Sequence, residues 1–86
     1  YFVYIIYSSI GDCYYKGFSV NPKKRLISHK KGESSYTSKF SDWKLVYCEY
    51  YSDKSAALKR EKSLKKYSKV QLLELIKSSR NKLFEL

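Results

Sequence analysis

The run Phe2–Tyr7 (FVYIIY) is unbroken apolar and aromatic sequence with no alternation in it. A strand with one wet face alternates apolar and polar residues, so such a run reads as a strand covered on both faces. Whatever else the chain does, it must place one layer above this strand and another below it. Its 86 residues suffice for one compact domain, residues 1–86, close to the lower size at which a core needs no staples.

The covering layers can be read in order along the sequence. Ser8–Asp12, containing Gly11, is a turn, and Cys13–Val20 is a second strand, so the first twenty residues form a β-hairpin. The turn does not fix the register, and a slip of one residue would exchange the two faces. Asn21-Pro22 starts a helix, an Asn N-cap with proline in the first turn, and Gly32 stops it, giving a helix over Pro22–Lys31. Residues 33–42 (ESSYTSKFSD) are polar and aperiodic, a loop with room for a short helical turn and placed to lie on a substrate. Trp43–Tyr51 (WKLVYCEYY) is a third strand. Asp53 caps a helix over Lys54–Lys66, with Ala57, Leu58 and Leu64 at helical spacing. A last helix covers Ser68–Ser78, with Val70, Leu72, Leu73 and Ile76 as its packing face. The order ββαβαα belongs to the α+β class.

Eighteen Lys and Arg against eight Asp and Glu give a formal charge of +10, enough to attract a polyanion at long range. Phosphate backbones are the natural partner, and the pairs Lys23-Lys24 and Lys30-Lys31 with the basic stretch Lys59–Lys66, Lys59 and Lys62 among it, are candidate contacts. A merely soluble basic protein is the plainer alternative. Cys13 and Cys48 have neither the spacing of a zinc or redox site nor the density of a disulfide scaffold, and read as free core thiols of a reducing cytoplasm. No apolar run approaches the ~20 residues of a membrane span. No charged-then-apolar leader opens the chain, so neither membrane nor export is expected. With no methionine in the chain, the start residue is expected to be missing from it.

Three groups of residues could carry chemistry. Glu61 lies four residues after Ala57 and three before Leu64, on or beside the inward face of its helix, where a carboxylate needs a cation, a metal or donated hydrogen bonds. Arg25 and His29, four apart, present a charged fork and the only imidazole on one helix face, a pairing that suits a phosphate. A solvated basic face is the alternative. Tyr4 and Tyr15 sit at nearly symmetric distances from the hairpin turn, as candidate neighbours across the ladder or as plain core residues. A phenol of pKa about 10 is a poor base at neutral pH without cationic help. The sequence offers no zinc cluster, no paired acids at two-metal spacing, no phosphate-binding glycine loop and no serine triad. At most one carboxylate-anchored metal fits.

Taken together, Phe2-Val3-Tyr4, Tyr15-Lys16-Gly17, Arg25, His29 and Glu61 resemble the GIY-YIG nuclease domain over about residues 2 to 77. The stretches Asp42–Tyr47 (DWKLVY) and Ala57–Glu61 (ALKRE) look most like its small stand-alone bacterial members, which are also similar to the catalytic subunit of a structure-specific DNA resolvase. Phe2-Val3 stands where the family has Gly-Ile, Lys16 where it has an aliphatic residue, and the only late asparagine is Asn81.

The resemblance implies a three-stranded antiparallel sheet flanked by helices, with the five side chains meeting on one concave surface. It implies that Glu61 holds a single Mg²⁺ or Mn²⁺, that Arg25 clamps a phosphate oxygen, and that Tyr4 accepts a proton from the attacking water. Tyr15 and His29 would orient that water or the phosphate, and Lys16 would add a phosphate contact. The implied function is a metal-dependent DNA endonuclease of repair or recombination, cytoplasmic and nucleoid-associated. Its partners would be branched or duplex DNA and, as a further candidate, a larger repair complex. The alternatives are a nucleic-acid-binding module that keeps the fold without catalysis, and a protein-interaction domain.

Overall fold

A computed structural model describes residues 1–86. The strands are β1 (Phe2–Ser8), β2 (Cys13–Ser19) and β3 (Lys44–Tyr50), and the helices are α1 (Pro22–Lys30), α2 (Lys54–Leu64) and α3 (Lys69–Lys77). Short 3₁₀ turns occupy Thr37–Lys39 and Leu83–Glu85. The order is the expected ββαβαα, and the sheet is antiparallel throughout with strand order β2-β1-β3. β1 is therefore central, which is what its unbroken apolar run demands: Val3, Tyr4, Ile5 and Ile6 are all buried.

Side chains of β1 feed two cores by simple alternation. Val3 and Ile5 join Tyr47, Ala57, Leu64, Leu72 and Leu75 on the face covered by α2 and α3. Tyr4 and Ile6 join Trp43 on the other face, with Leu26 of α1, Tyr15, Phe40 and Leu45 packed around them. A bulge in β3 makes this possible on its side of the sheet. Ile5 pairs with Tyr47 but Ile6 with Leu45, so Val46 is the extra residue, and Leu45 is turned to the face opposite Tyr47.

The helix starts follow their caps. Asn21 Oδ1 accepts the Lys24 amide at 3.2 Å with Pro22 in the first turn, and Asp53 Oδ2 accepts the Ala56 amide at 3.0 Å. Ser68 and Gln71 form a reciprocal capping box. Gly32 has a φ of 75°, the left-handed conformation expected just beyond a helix end.

Several expectations need correction. β2 ends at Ser19, α1 at Lys30 and α2 at Leu64, one or two residues early. Leu58 on α2 and Val70 and Leu73 on α3 are exposed, Val70 at 64%. At about 100° per residue, the buried stripe of α2 runs through Ala57 and Leu64 and puts Leu58 on its flank. On α3 the stripe runs through Leu72, Leu75 and the half-buried Ile76, which turns Val70 and Leu73 outward. Both cysteines are free, as expected, but only Cys48 is fully buried. No helix is long and apolar enough to cross a membrane.

Beyond α3 the chain is tied back to β3 by Asn81. Its Nδ2 donates to the carbonyls of Val46 and Ile76, each at 2.9 Å, and its Oδ1 accepts the amides of Cys48 (3.3 Å) and Leu83 (3.0 Å). The Lys82 amide adds a bond to the Cys48 carbonyl at 2.8 Å. Asn81 is thus a structural staple with its amide fully engaged.

Candidate active site

The hairpin register decides whether the two tyrosines can act together. Tyr4 lies opposite Gly17 and Ile6 opposite Tyr15, so Tyr4 and Tyr15 are diagonal neighbours on the same face, the one covered by α1. Gly17 is what lets Tyr4 settle there. A Cβ at that position would land on the distal atoms of the Tyr4 ring, so the ring lies directly over the bare backbone of the edge strand.

The phenol of Tyr4 meets His29 of α1, its oxygen 2.7 Å from Nε2, with both residues buried. The other ring nitrogen, Nδ1, is 2.7 Å from the hydroxyl oxygen of Thr37, which itself donates to the Ser34 carbonyl at 3.5 Å. With that hydroxyl proton committed, the Thr37 oxygen accepts from Nδ1–H, and the bare Nε2 accepts the proton of Tyr4. Burial and then the positive charge of Arg25 push the His29 pKa down to about 4, so the ring is neutral at neutral pH.

Tyr15, Arg25 and Glu61 surround this pair. The Tyr15 ring stands edge-on to His29 with centroids 5.0 Å apart. The Tyr4 pKa is raised, by burial first and then by Tyr15 and Glu61, while the Arg25 guanidinium works against the rise. All three groups are therefore near enough to act on that one phenol. Tyr4 and His29 form the floor and the half-buried Tyr15, Arg25 and Glu61 the rim. Tyr4, His29 and Tyr15 are in direct contact, and Arg25 and Glu61 act on the Tyr4 phenol through their charge.

Glu61 reaches the rim because of its phase on α2. It lies some 40° to one side of the buried Ala57–Leu64 stripe, and Arg60 lies on the other side. The two flanks have separate tasks. Arg60 is consumed by Glu49 of β3, with Nε at 3.2 and 3.1 Å from the two carboxylate oxygens and Nη2 at 3.0 Å from one. Glu61 has only Lys65, at 3.8 Å, so its oxygens are largely uncommitted. No group of three or more His, Cys, Asp or Glu is arranged to hold a metal. A single free carboxylate does not suit zinc. It does suit a hard divalent cation that keeps most of its waters and completes its shell with substrate phosphate.

The lysines are more scattered. Lys16 is half-buried beside Tyr15, and Lys24 shares a shallow groove with Arg25. Lys59 and Lys62 line a separate shallow groove on the outer side of α2 together with Lys54. Lys23 reaches toward the carbonyl of Leu86 (3.5 Å), and Lys30 and Lys31 are exposed at the end of α1. Lys23, Lys30, Lys31, Lys59 and Lys62 make no hydrogen bond or ion pair with the five clustered side chains.

Two functional or structural partners are not visible from the sequence. Thr37, fully buried, both fixes the His29 tautomer and accepts the Trp43 indole N–H at 2.8 Å through its carbonyl. Glu49 is a buried carboxylate whose acceptor capacity is filled by Tyr47, Tyr51 (2.6 Å) and Arg60. Burial opposes its charge, but these donated bonds outweigh it and hold its carboxyl below the usual range. It is a structural ion pair on the α2 face.

Comparison with known proteins shows which family the chain belongs to. No solved structure matches the chain significantly. A UPF0213 protein of Staphylococcus epidermidis is 40% identical over 76 residues, covering 87% of this chain and 92% of the relative. A UPF0213 protein of Staphylococcus aureus is 40% identical over 77 residues, covering 88% and 93% respectively. The family model described as the GIY-YIG catalytic domain matches residues 1–73, which include all five clustered side chains, and the chain belongs to that family.

Proposed function

We propose that this protein is a metal-dependent endonuclease that hydrolyses phosphodiester bonds in DNA. The observation that carries the reading is the buried Tyr4–His29 hydrogen bond, with Tyr15, Arg25 and Glu61 gathered around the same phenol. A neutral imidazole behind the phenol gives its proton somewhere to go, so Tyr4 can relay a proton although a phenol alone is a poor base. As the Tyr4 oxygen takes a proton from the attacking water, its own proton passes to Nε2 of His29, so no free phenolate forms. Nδ1–H stays on Thr37, and the imidazolium that results is transient because burial and Arg25 disfavour it.

Arg25 is the clamp for a non-bridging phosphate oxygen, since a guanidinium stays charged and can hold an anion with two parallel bonds. Tyr15 packs against the His29 edge and offers its hydroxyl at the rim. Glu61 is the one carboxylate at the site able to hold Mg²⁺ or Mn²⁺, which when bound supplies charge neutralisation at the phosphate. Lys16 and Lys24 add backbone contacts beside the cluster, and Lys23, Lys30, Lys31, Lys59 and Lys62 contribute longer-range attraction. In this reading the protein works on DNA in the cytoplasm, in repair or recombination.

The test is cleavage of labelled branched, flapped and plain duplex DNA with and without Mg²⁺ or Mn²⁺. Cleavage that requires the divalent ion and disappears in Glu61→Gln, with the fold intact, is the expected result. Undiminished cleavage by Glu61→Gln refutes the proposed site. Tight binding of DNA with no cleavage under any ion supports a non-catalytic module instead.

A further inference from the structure

We propose that a pocket on the β2 edge, lined by Tyr14, Tyr15, Lys16, Tyr36 and Lys65, receives one unpaired base of the DNA strand being cut, so that single-stranded or unpaired DNA is preferred over duplex. The inference rests on the nuclease reading above and extends it to the form of the substrate.

The pocket has a volume of about 300 Å³. That is the small end of the range of ligand sites, suited to a single nucleotide and too small for a double helix. Its lining is three phenol rings and two amines, with no carboxylate among them. Such a set matches one chemistry, a flat aromatic group carrying negative charge beside it. Aromatic side chains stack on bases without regard to sequence, and lysines track the phosphates. In duplex DNA both faces of every base are covered by neighbours, so a stacking platform is of use only to a base that has left the stack.

Tyr36 is placed at the pocket by an aromatic contact rather than by burial. It is 51% exposed on the loop after α1, yet its ring is held 5.5 Å from the Tyr15 ring at an interplanar angle of 34°. Its own burial does not hold it. The next residue, Thr37, does so through its bonds to His29 and Trp43, so the loop presents Tyr36 from a fixed anchor. Lys39 lies 5.5 Å from the Tyr36 ring centroid, adding positive charge beside the platform.

The amines point the same way. Lys16 is half-buried and forms no ion pair, and its pKa is lowered by burial and by the neighbouring charge of Lys65. Lys65 also lies 3.8 Å from Glu61, but Lys16 has no acidic partner, so the lining keeps one uncompensated ammonium for an anion. Tyr15 connects this pocket to the cluster, with His29 against one side of its ring and Tyr36 against another. The base pocket is thus one ring away from the phosphate site.

Binding is measured in EDTA, so that cleavage plays no part, with a short oligothymidylate carrying one 2-aminopurine and with the corresponding duplex. The expected result is quenching of 2-aminopurine in the single strand and tighter single-strand binding. Tyr36→Ala should lose the quenching and roughly 10- to 100-fold in single-strand affinity, the effect of one stacking contact. Tyr36→Phe should restore both, and the loss on duplex should be smaller. Unchanged single-strand affinity in Tyr36→Ala, or an equal loss on both forms, overturns the proposal. Because Glu61→Gln cleavage tests the nuclease reading separately, quenching and selective loss without any cleavage would sink that reading and leave the pocket standing.

Discussion

Substituting Gly17 by alanine isolates the close approach on which the site depends. The backbone at Gly17 is not left-handed, so alanine brings no conformational strain of its own. In a strand, Gly→Ala removes unfolded-state freedom and stabilises by about 0.4–1 kcal/mol when nothing else intervenes. Here the added methyl meets the distal atoms of a buried Tyr4 ring, and such overpacking costs about 1–3 kcal/mol. At the middle of the two ranges the net cost is about 1.3 kcal/mol, so Gly17→Ala is expected to lower Tm by roughly 5–10 °C at about 4–8 °C per kcal/mol for a domain of this size. Tyr4→Leu supplies the decisive background, because leucine stops short of the ring atoms that the methyl would strike. In that background Gly17→Ala should be neutral or stabilising. Urea unfolding followed by the fluorescence of Trp43, the only tryptophan and a buried one, measures all four corners of the cycle. An equal cost of Gly17→Ala in both backgrounds would show that the collision with Tyr4 is not the cause, and would refute the reasoning.

Three other substitutions probe separate parts of the fold. Thr37→Val leaves the buried Nδ1–H of His29 without an acceptor and should cost about 1–3 kcal/mol in urea unfolding together with a fall in turnover; unchanged stability would show the bond to be dispensable. Because the folded pKa of His29 is about 4 against about 6.5 unfolded, its contribution is complete above pH 6.5 and declines as pH falls toward 4. His29→Asn should flatten the stability profile in that window, and a slope identical to that of the native chain would contradict the assignment. Arg60→Met removes the main cation from the buried Glu49 carboxylate, leaving it Tyr47, Tyr51 and the more distant Arg80, and should cost about 3 kcal/mol, whereas Arg60→Met combined with Glu49→Leu should recover much of it, as measured by urea midpoints.

The parts of the fold that were legible in the sequence are those governed by local rules. Asn21-Pro22, Asp53 and Ser68 announce three helix starts because capping depends on a few adjacent residues, and all three caps form. The both-face burial of β1 follows from its composition alone. Glu61 was legible by phase, since four residues from Ala57 and three from Leu64 leave it little choice but the rim of the buried stripe. What stayed hidden depends on contacts distant in sequence. The register that puts Tyr4 and Tyr15 on one face is set by a turn too ambiguous to read, and the β3 bulge that turns Leu45 toward Tyr4 leaves no mark in WKLVYCEYY. Thr37 is one hydroxyl in a polar loop, and only its two distant partners, His29 and Trp43, distinguish it from Ser35 or Ser38. Val70 and Leu73 are apolar residues within the packing pattern of α3, and the phase of the helix on the sheet nonetheless leaves them exposed.

The attachment of the segment after α3 to β3 has a consequence for colloidal behaviour. β3 is an outer strand of the sheet, and such strands offer a row of free amide and carbonyl groups on which another chain can add. Asn81 and the Lys82 amide occupy the Val46 carbonyl and both backbone groups of Cys48, so the last residues act as a stand-in for a fourth strand. A version of the chain cut at residue 73, the end of the family match, would keep all five clustered side chains yet bare that border. Strand-on-strand self-association would then become available at that border.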